Sequence, residues 1–277
     1  MVGASRADLR RMDQEQSTKY KQTLAFLIFI IVTLSMITGT FLNPTFMKGQ
    51  IRTSNNQAVV IRQVNTHFDT LADLLGAKHE ANSNLLTVEQ TQPITDHIID
   101  YSLGLHWVKI SNRKLAQKIL SDINEGIDQG ASSDAQTIRH ELKKQDTNAL
   151  YFITRAFDLN IVTLGSNIAV LLFIVNIIIV IVTVIALISL ISDMQSRSSV
   201  KTLVHDITAS GMWAGFWLIL IAGILAIIPV IFNVEALPFG GLGYLLEISS
   251  SVFLDFVIVG VIIYILCAIP WQATTAK

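Results

Sequence analysis

The chain has 277 residues, of which 51% are hydrophobic and only 15% are charged, and its formal net charge is −1. Soluble domains usually carry about 25% charged residues, so this composition is typical of a membrane protein. A net charge near zero excludes a nucleic-acid binder that works through overall basicity. With a single cysteine, Cys267, the chain has neither a disulfide framework nor the ligands of a thiolate zinc site.

Four stretches are apolar over the roughly 20 residues that a spanning helix needs, and the only charged residue in them is Asp255 in the fourth. We predict spans over residues 23–43, 168–192, 211–233 and 251–271. The first is longer than the apolar part of a secretory signal peptide, about 7–15 residues, so we interpret it as an uncleaved anchor. The predicted fold class is all-α: a four-span integral membrane protein with an extracytoplasmic helical bundle inserted between spans 1 and 2.

The positions of lysine and arginine predict the orientation of the spans, because short cytoplasmic flanks are enriched in both residues. Basic residues occur in the tail 1–22, the loop 193–210 and the stub 272–277, whereas the loop 234–250 has none. We therefore predict cytoplasmic termini and an extracytoplasmic location for residues 48–160. The lack of paired cysteines and of usable Asn-x-Ser/Thr acceptors favours a bacterial plasma membrane.

Within residues 48–160, apolar residues recur at the spacings of three and four that are typical of amphipathic helices. The first predicted helix stops at Gly76, the second begins at Pro93, and a fourth begins at Ser133. The apolar stripe of the second helix consists of Ile94, Ile98, Tyr101, Leu105 and Val108. No proline follows Ser133 before the inner end of span 2, so we expect the last outer helix to be continuous with that span.

This layout is similar to that of the sensor domains of bacterial chemoreceptors, in which an outer four-helix bundle lies between two spans. The resemblance covers about half of the chain and concerns the layout alone. Chemoreceptors continue into a long cytoplasmic signalling helix, whereas two more spans follow here. The predicted cytoplasmic segments are shorter than the roughly 40 residues that an independent domain needs, which excludes a kinase or output domain on that side.

Asp255 and Asn176 are the two polar residues of the predicted spans that we select as candidate sites. Asp255 is expected about one turn inside the outer end of span 4. It is either an ion or proton site, or an acid in the first turn of a helix, where the helix dipole stabilises its charge, and we favour the second interpretation. Asn176 in span 2 is expected to face other helices instead of lipid.

Two groups of small residues are candidate sites. A stripe in span 3 predicts a helix-packing face, either against another span of this chain or against a second protein: Gly211, Gly215, Ala222 and Ala226. The outer loop 234–250 is apolar and rich in glycine, and we expect it to rest on the membrane surface. Its candidate residues are Glu235, Gly240, Gly241, Gly243 and Glu247.

Five histidines fall in the outer region: His67, His79, His97, His106 and His140. Together with nearby carboxylates they could form a zinc site, but no pair has the i, i+4 spacing of a helical metal motif. We interpret them as scattered surface residues and expect no metal, cofactor or catalytic residue.

Three classes of function remain. We favour a non-enzymatic protein whose outer bundle binds an envelope or membrane partner, in an accessory, assembly, immunity or sensing role. Its expected partners are the lipid bilayer and a membrane or envelope protein, or a second copy of the chain. The alternatives are an oligomeric channel or transporter that uses Asp255, and a membrane-embedded enzyme.

Overall fold

The structure is a computed structural model that describes residues 6–80, 85–127, 131–231 and 243–275, with side chains excluded at 6–17, 54–55, 230 and 243–247. It is 87% helical, and the described ranges contain no strand. The helices are α1 (Arg6–Gly39), α2 (Pro44–Ile51), α3 (Ser54–Leu75), α4 (Val88–Leu103), α5 (Arg113–Gly126), α6 (Ser133–Lys144), α7 (Ala149–Ala156), α8 (Leu159–Arg197), α9 (Val200–Ile231) and α10 (Gly243–Thr275).

Four of these helices contain segments long and apolar enough to cross a membrane. The segments are Thr18–Gly39, Leu159–Arg197, Val200–Pro229 and Ile248–Thr275. The predicted all-helical class and the predicted number of candidate spans are therefore confirmed. The segment in α8 has 39 residues, which is well beyond the roughly 20 that a crossing requires.

The chain divides into two compact units. The span unit comprises the described residues of 1–38, 175–232 and 249–277, and the insert unit comprises those of 39–174 and 233–248. The insert unit therefore contains α2 to α7, the first part of α8 up to residue 174, and residues 243–248 at the start of α10.

An asparagine joins two helices of the span unit. The side-chain amide of Asn176 in α8 donates to the carbonyl oxygen of Leu34 (3.0 Å) and to Thr38 Oγ1 (2.7 Å), both in α1. These two bonds satisfy the amide nitrogen in an apolar environment and join α8 to α1, whereas the buried amide oxygen Oδ1 has no hydrogen-bond partner within the described residues.

Charged and polar side chains cluster at one end of the span unit. Tyr20 donates to Asp193 (2.7 Å), which also accepts from Arg197 (3.1 Å). Lys21 pairs with Asp206 at 2.9 Å. Such a cluster is costly in hydrocarbon, so it indicates where the span unit meets water.

In the span unit, α9 and α10 approach closely at glycines. A Cβ on Gly215 would lie 2.8 Å from the carbonyl oxygen of Gly260, and a Cβ on Gly260 would lie 3.0 Å from that of Gly215. A Cβ on Gly211 would lie 2.5 Å from Cys267 Sγ. The two glycines of the predicted stripe therefore face α10 of the same chain, at a separation that only glycine permits.

The insert unit is built around one hydrophobic core. Its buried side chains come from α2 to α8 and from the start of α10, and they include Phe68, Leu71, Ile94, Leu115, Ile119, Ile138, Leu142, Ile153 and Phe157. Burial of each such side chain contributes about 1.5–3 kcal/mol to the stability of this core. Asn65 reinforces the core: its amide oxygen accepts from the backbone N–H of Leu86 (2.7 Å), and its amide nitrogen donates to the carbonyl of Leu86 (3.1 Å).

The expectation that the last outer helix continues into span 2 was wrong. Helix α6 ends at Lys144, and both Asp146 and Asp158 adopt left-handed backbone conformations, with φ of 41° and 47°. Aspartate tolerates this conformation better than most residues, and the carbonyl of Asp158 accepts from the N–H groups of Ile161 and Val162 to begin α8.

Three other helix boundaries differ from the sequence predictions. Helix α4 begins at Val88, ahead of Pro93, because Thr87 and Gln90 form a capping box. Helix α1 ends at Gly39, before residue 43, and α10 begins at Gly243, before residue 251. The stop at Gly76 is as predicted, with φ of 66°.

Replacing Gly215 by alanine should destabilise the span unit by about 1–3 kcal/mol, the usual cost of overpacking a close contact. Gly223→Ala is the matched control in the same helix, because a Cβ on Gly223 meets nothing within 4 Å. That control should be neutral or stabilising, since alanine is the better helix former. Reversible unfolding in mixed micelles measures both, and equal stability of the two variants would contradict the close approach of α9 and α10.

Candidate functional site

Residues 104–112, between α4 and α5, form an irregular loop that is attached to α8. The loop begins at Gly104, where a Cβ would lie 2.5 Å from the carbonyl oxygen of Asp100. Farther along, the N–H of Lys109 donates to Asn167 Oδ1 (2.7 Å), and Asn167 Nδ2 donates to the carbonyl oxygen of Lys109 (2.9 Å). One side chain thus satisfies both backbone groups of a loop residue that has no helical partners.

The side chain of Lys109 turns back onto the insert unit. Its ammonium nitrogen donates to the carbonyl oxygen of Tyr101, lies 3.7 Å from the centroid of the Tyr101 ring, and lies 3.4 Å from Ser166 Oγ. Burial lowers the pKa of Lys109 to about 8. These contacts close the loop from the inside, and they leave the apolar neighbours of Lys109 to face outward.

His106 contacts the same serine. Its Nδ1 lies 2.7 Å from the carbonyl oxygen of Trp107, which can only accept, so Nδ1 carries a proton. Its Nε2 lies 2.7 Å from Ser166 Oγ, and that hydroxyl also lies 2.9 Å from the carbonyl oxygen of Tyr101. A serine beside a histidine is the pairing of an activated nucleophile. Ser166, however, is 0% exposed, so a substrate cannot reach its hydroxyl in this structure.

Four large apolar side chains of the loop are exposed. Leu105 is 87% exposed, Trp107 90%, Val108 71% and Ile110 98%, and we call these four residues the apolar ridge. The sequence pattern had placed Leu105 and Val108 on the buried stripe of a helix, which was wrong because α4 ends at Leu103. Contiguous exposed apolar residues of this kind mark a contact surface for a membrane or a partner.

A cavity of about 340 Å³ lies beside the ridge. One wall is formed by residues 102–107 and the other by α8, and the lining residues are Leu42, Ser102, Leu103, Gly104, Leu105, His106, Trp107, Ala169, Val170, Phe173 and Ile174. Its volume falls within the range of small-molecule sites, about 300–1,000 Å³. Leu105 and Trp107 thus belong to both the ridge and the cavity, whereas Val108 and Ile110 belong to the ridge alone.

The opposite face of α8 is also apolar and exposed. Ile161, Leu164 and Ile168, which we call the α8 stripe, recur at spacings of three and four. At 100° per residue they lie roughly 140–160° around the helix from Ser166, one of the two residues that hold the loop. Both faces of this part of α8 therefore border apolar surface, one through the ridge and one through the stripe.

The five histidines are not all surface residues. His67 is largely buried: its Nδ1 lies 2.9 Å from the carbonyl oxygen of Ala156, and its ring stacks on Phe157. Burial is the main cause that lowers the pKa of His67. Across the described ranges, no three His, Cys, Asp or Glu side chains are grouped in a way that could hold a metal ion.

The candidate residues of the spans lie in different helices and do not come together in one site. Asp255 is half-buried in α10, between the buried residues Val252 and Phe256. Asn176 is buried against α1, and Ala222 and Ala226 of the stripe are buried with the glycines. Of the outer-loop candidates, Glu235, Gly240 and Gly241 lie outside the described residues, and Gly243 and Glu247 belong to α10.

The loop and its partners were missed in the sequence because the partners are far apart along the chain. Lys109 and Asn167 are separated by 58 residues, and His106 and Ser166 by 60. The available signal was local: four large apolar residues lie within six positions after Gly104, where a helix can end. No protein-family model, no curated protein and no solved structure matches this chain.

Asn167→Ala should release the 104–112 loop. Two hydrogen bonds are lost and the Lys109 backbone is left unsatisfied, which costs roughly 2 kcal/mol locally and speeds amide exchange at Lys109 by about 30-fold. Asn160→Ala is the matched control on α8, since its contact with Asn112 (2.8 Å) is exposed. Hydrogen exchange of the full chain in micelles reports on both variants. Equal exchange in the two would show that Asn167 does not hold the loop.

Proposed function

We propose that this chain is a non-enzymatic integral membrane protein of a bacterial plasma membrane whose outer helical bundle binds a membrane or envelope partner. In this proposal the termini are cytoplasmic, and residues 48–160 form the bundle on the outer side. The basic residues of the short flanks support this orientation. The charge cluster around Asp193 and Asp206 is then the cytoplasmic end of the spans.

The length of α8 indicates how far it projects. From Asp193, a hydrocarbon layer of about 30 Å takes up about 20 residues and ends near Phe173. The headgroup layer adds roughly 5–7 Å, or about one helical turn, and reaches Ala169. Residues 159–168 of α8 therefore lie just outside the bilayer in this proposal.

The observation that carries the proposal is the apolar surface at this level. The α8 stripe and the apolar ridge are exposed on two faces of the same helical segment. At the membrane surface, beyond the hydrocarbon layer, lipid tails do not cover these seven large apolar side chains, and their exposure opposes the stability and solubility of a protein. A protein partner at the membrane surface, or a second copy of this chain, would cover them.

The ridge is suited to binding because it is held in place before a partner arrives. The backbone of Lys109 is bonded to Asn167, and its side chain is bonded to Tyr101. A loop that is already ordered loses little conformational entropy when it binds, so more of the energy of burial is available as affinity.

A binding role also fits the polar residues of the loop. Ser166 and His106 have the pairing of a nucleophile and a base, but the hydroxyl is enclosed by Tyr101 and Lys109. In this arrangement they hold the loop against α8. We therefore assign these residues a structural role and propose no reaction.

Changing Val108 and Ile110 to serine together should weaken partner binding. Losing the burial of two such side chains costs roughly 3 kcal/mol, or about a hundredfold in Kd. Both residues are exposed and lie away from the cavity, so the variant should fold normally. The measurement is gentle solubilisation from native membranes, followed by mass determination of the wild-type and variant complexes.

Tyr151→Ser is the control, since Tyr151 is exposed on α7 and belongs to neither the ridge nor the stripe. The proposal expects a companion protein or a second copy that remains with the wild type and the control but dissociates from the double variant. A wild-type protein that is monomeric and without a companion under the gentlest conditions would contradict it.

A further inference from the structure

We propose that the cavity between residues 102–107 and α8 holds one acyl chain of a membrane phospholipid. This inference rests on the placement of the bilayer in the proposed function, and it assigns the cavity a ligand distinct from the protein partner. The lipid would occupy the side of the ridge formed by Leu105 and Trp107.

The lining of the cavity selects for hydrocarbon. Apart from Ser102 and His106, its lining residues are apolar or glycine, and none carries a carboxylate, an ammonium or a guanidinium group. Both ring nitrogens of His106 are already engaged, with the Trp107 carbonyl and the Ser166 hydroxyl. A polar or charged ligand would lose its hydration there with little in return, whereas an alkyl chain would not.

The depth of the cavity suits a lipid tail. Its α8 wall consists of residues 169–174, the same residues at which the proposed headgroup layer meets the hydrocarbon. Ile174, at the end of this wall that lies nearest the hydrocarbon, lines the cavity and is 45% exposed. The cavity is therefore open on the side of the bilayer, and a chain can enter there sideways.

The structure also gives a reason for the cavity to stay open and dry. The 104–112 loop is held at Lys109 by Asn167, and α4 ends at Gly104 through its bond to Asp100, so the walls do not depend on a ligand. Apolar cavities bind water poorly because they offer it too few polar partners. A hydrocarbon chain is therefore the occupant that such a cavity favours.

The test uses the full chain in lipid nanodiscs with two photoreactive phosphatidylcholines. One carries a diazirine at the end of an acyl chain and the other carries it on the headgroup. Peptide mapping reads the labelling of residues 102–107, because Leu171 and Leu172 contact bulk lipid in any case. We expect the chain probe to label this segment, because in bulk lipid the end of an acyl chain lies near the bilayer centre and would not reach it. The headgroup probe serves as the reference for the exposed residues Leu105 and Trp107, which lie at the bilayer surface in this proposal.

Ala169→Phe fills the cavity from its α8 wall and should reduce labelling of residues 102–107 by about tenfold. Leu171→Phe is the matched control. It places the same ring on the opposite, lipid-facing side of α8, because two residues turn a helix by about 200°, and it should leave labelling unchanged. Equal labelling in wild type and Ala169→Phe would overturn the inference. Labelling by a photoreactive free fatty acid, with none by the phospholipid probe, would also overturn it.

The two proposals fail separately. Loss of chain labelling, with the companion protein still dissociating from the Val108/Ile110 variant, would refute the lipid site alone. Chain labelling that persists in a protein without any companion would refute the partner and retain the lipid site.

Discussion

The paired hydrogen bonds between Asn167 and the backbone of Lys109 determine where the apolar ridge lies. A loop of nine residues that carries Leu105, Trp107, Val108 and Ile110 would otherwise collapse onto the nearest apolar surface, because exposing those side chains to water is unfavourable. The amide of Asn167 prevents this by satisfying a backbone segment that has no helical partners, and Lys109 reinforces it from the inside through Tyr101. The exposure of the ridge is thus a consequence of polar contacts behind it.

The same use of asparagine recurs elsewhere in the chain. Asn65 pairs with both backbone groups of Leu86 in the insert unit. Asn176 in the span unit uses only its amide nitrogen, which donates to the carbonyl oxygen of Leu34 and to Thr38 Oγ1 and so joins α8 to α1. A side-chain amide donates and accepts at once, as a peptide group does, so it can replace a missing backbone partner in a place that water does not reach. In a chain that is rich in apolar residues, these few amides hold segments that periodicity alone would leave undefined.

The parts of the fold that could be predicted from sequence are those that depend on local composition. The thickness of a bilayer sets the length of an uncharged run, so the four candidate spans were visible, and a glycine at Gly76 marked a helix end through its left-handed backbone. The breaks at Asp146 and Asp158 were not visible, because aspartate adopts that conformation only when the surrounding structure demands it.

Leu105 and Val108 were misplaced because their spacing continues that of the preceding helix. The residue that holds the loop away from that helix, Asn167, comes 58 positions after Lys109. The close contact of Gly215 with Gly260 was likewise hidden, since sequence shows a packing face but not its partner.

The central claim is that the ridge lies at the surface of the bilayer, and the fluorescence of Trp107 tests it most directly. Replacing Trp213, Trp217 and Trp271 by phenylalanine leaves Trp107 as the sole tryptophan of the chain. The purified variant is reconstituted into bilayers of phosphatidylcholine brominated near the glycerol end of the acyl chain. The account predicts strong quenching by the brominated lipid, a blue-shifted emission and protection from aqueous iodide. An unquenched, red-shifted emission that iodide quenches freely would contradict it, because the ridge would then lie beyond the bilayer surface.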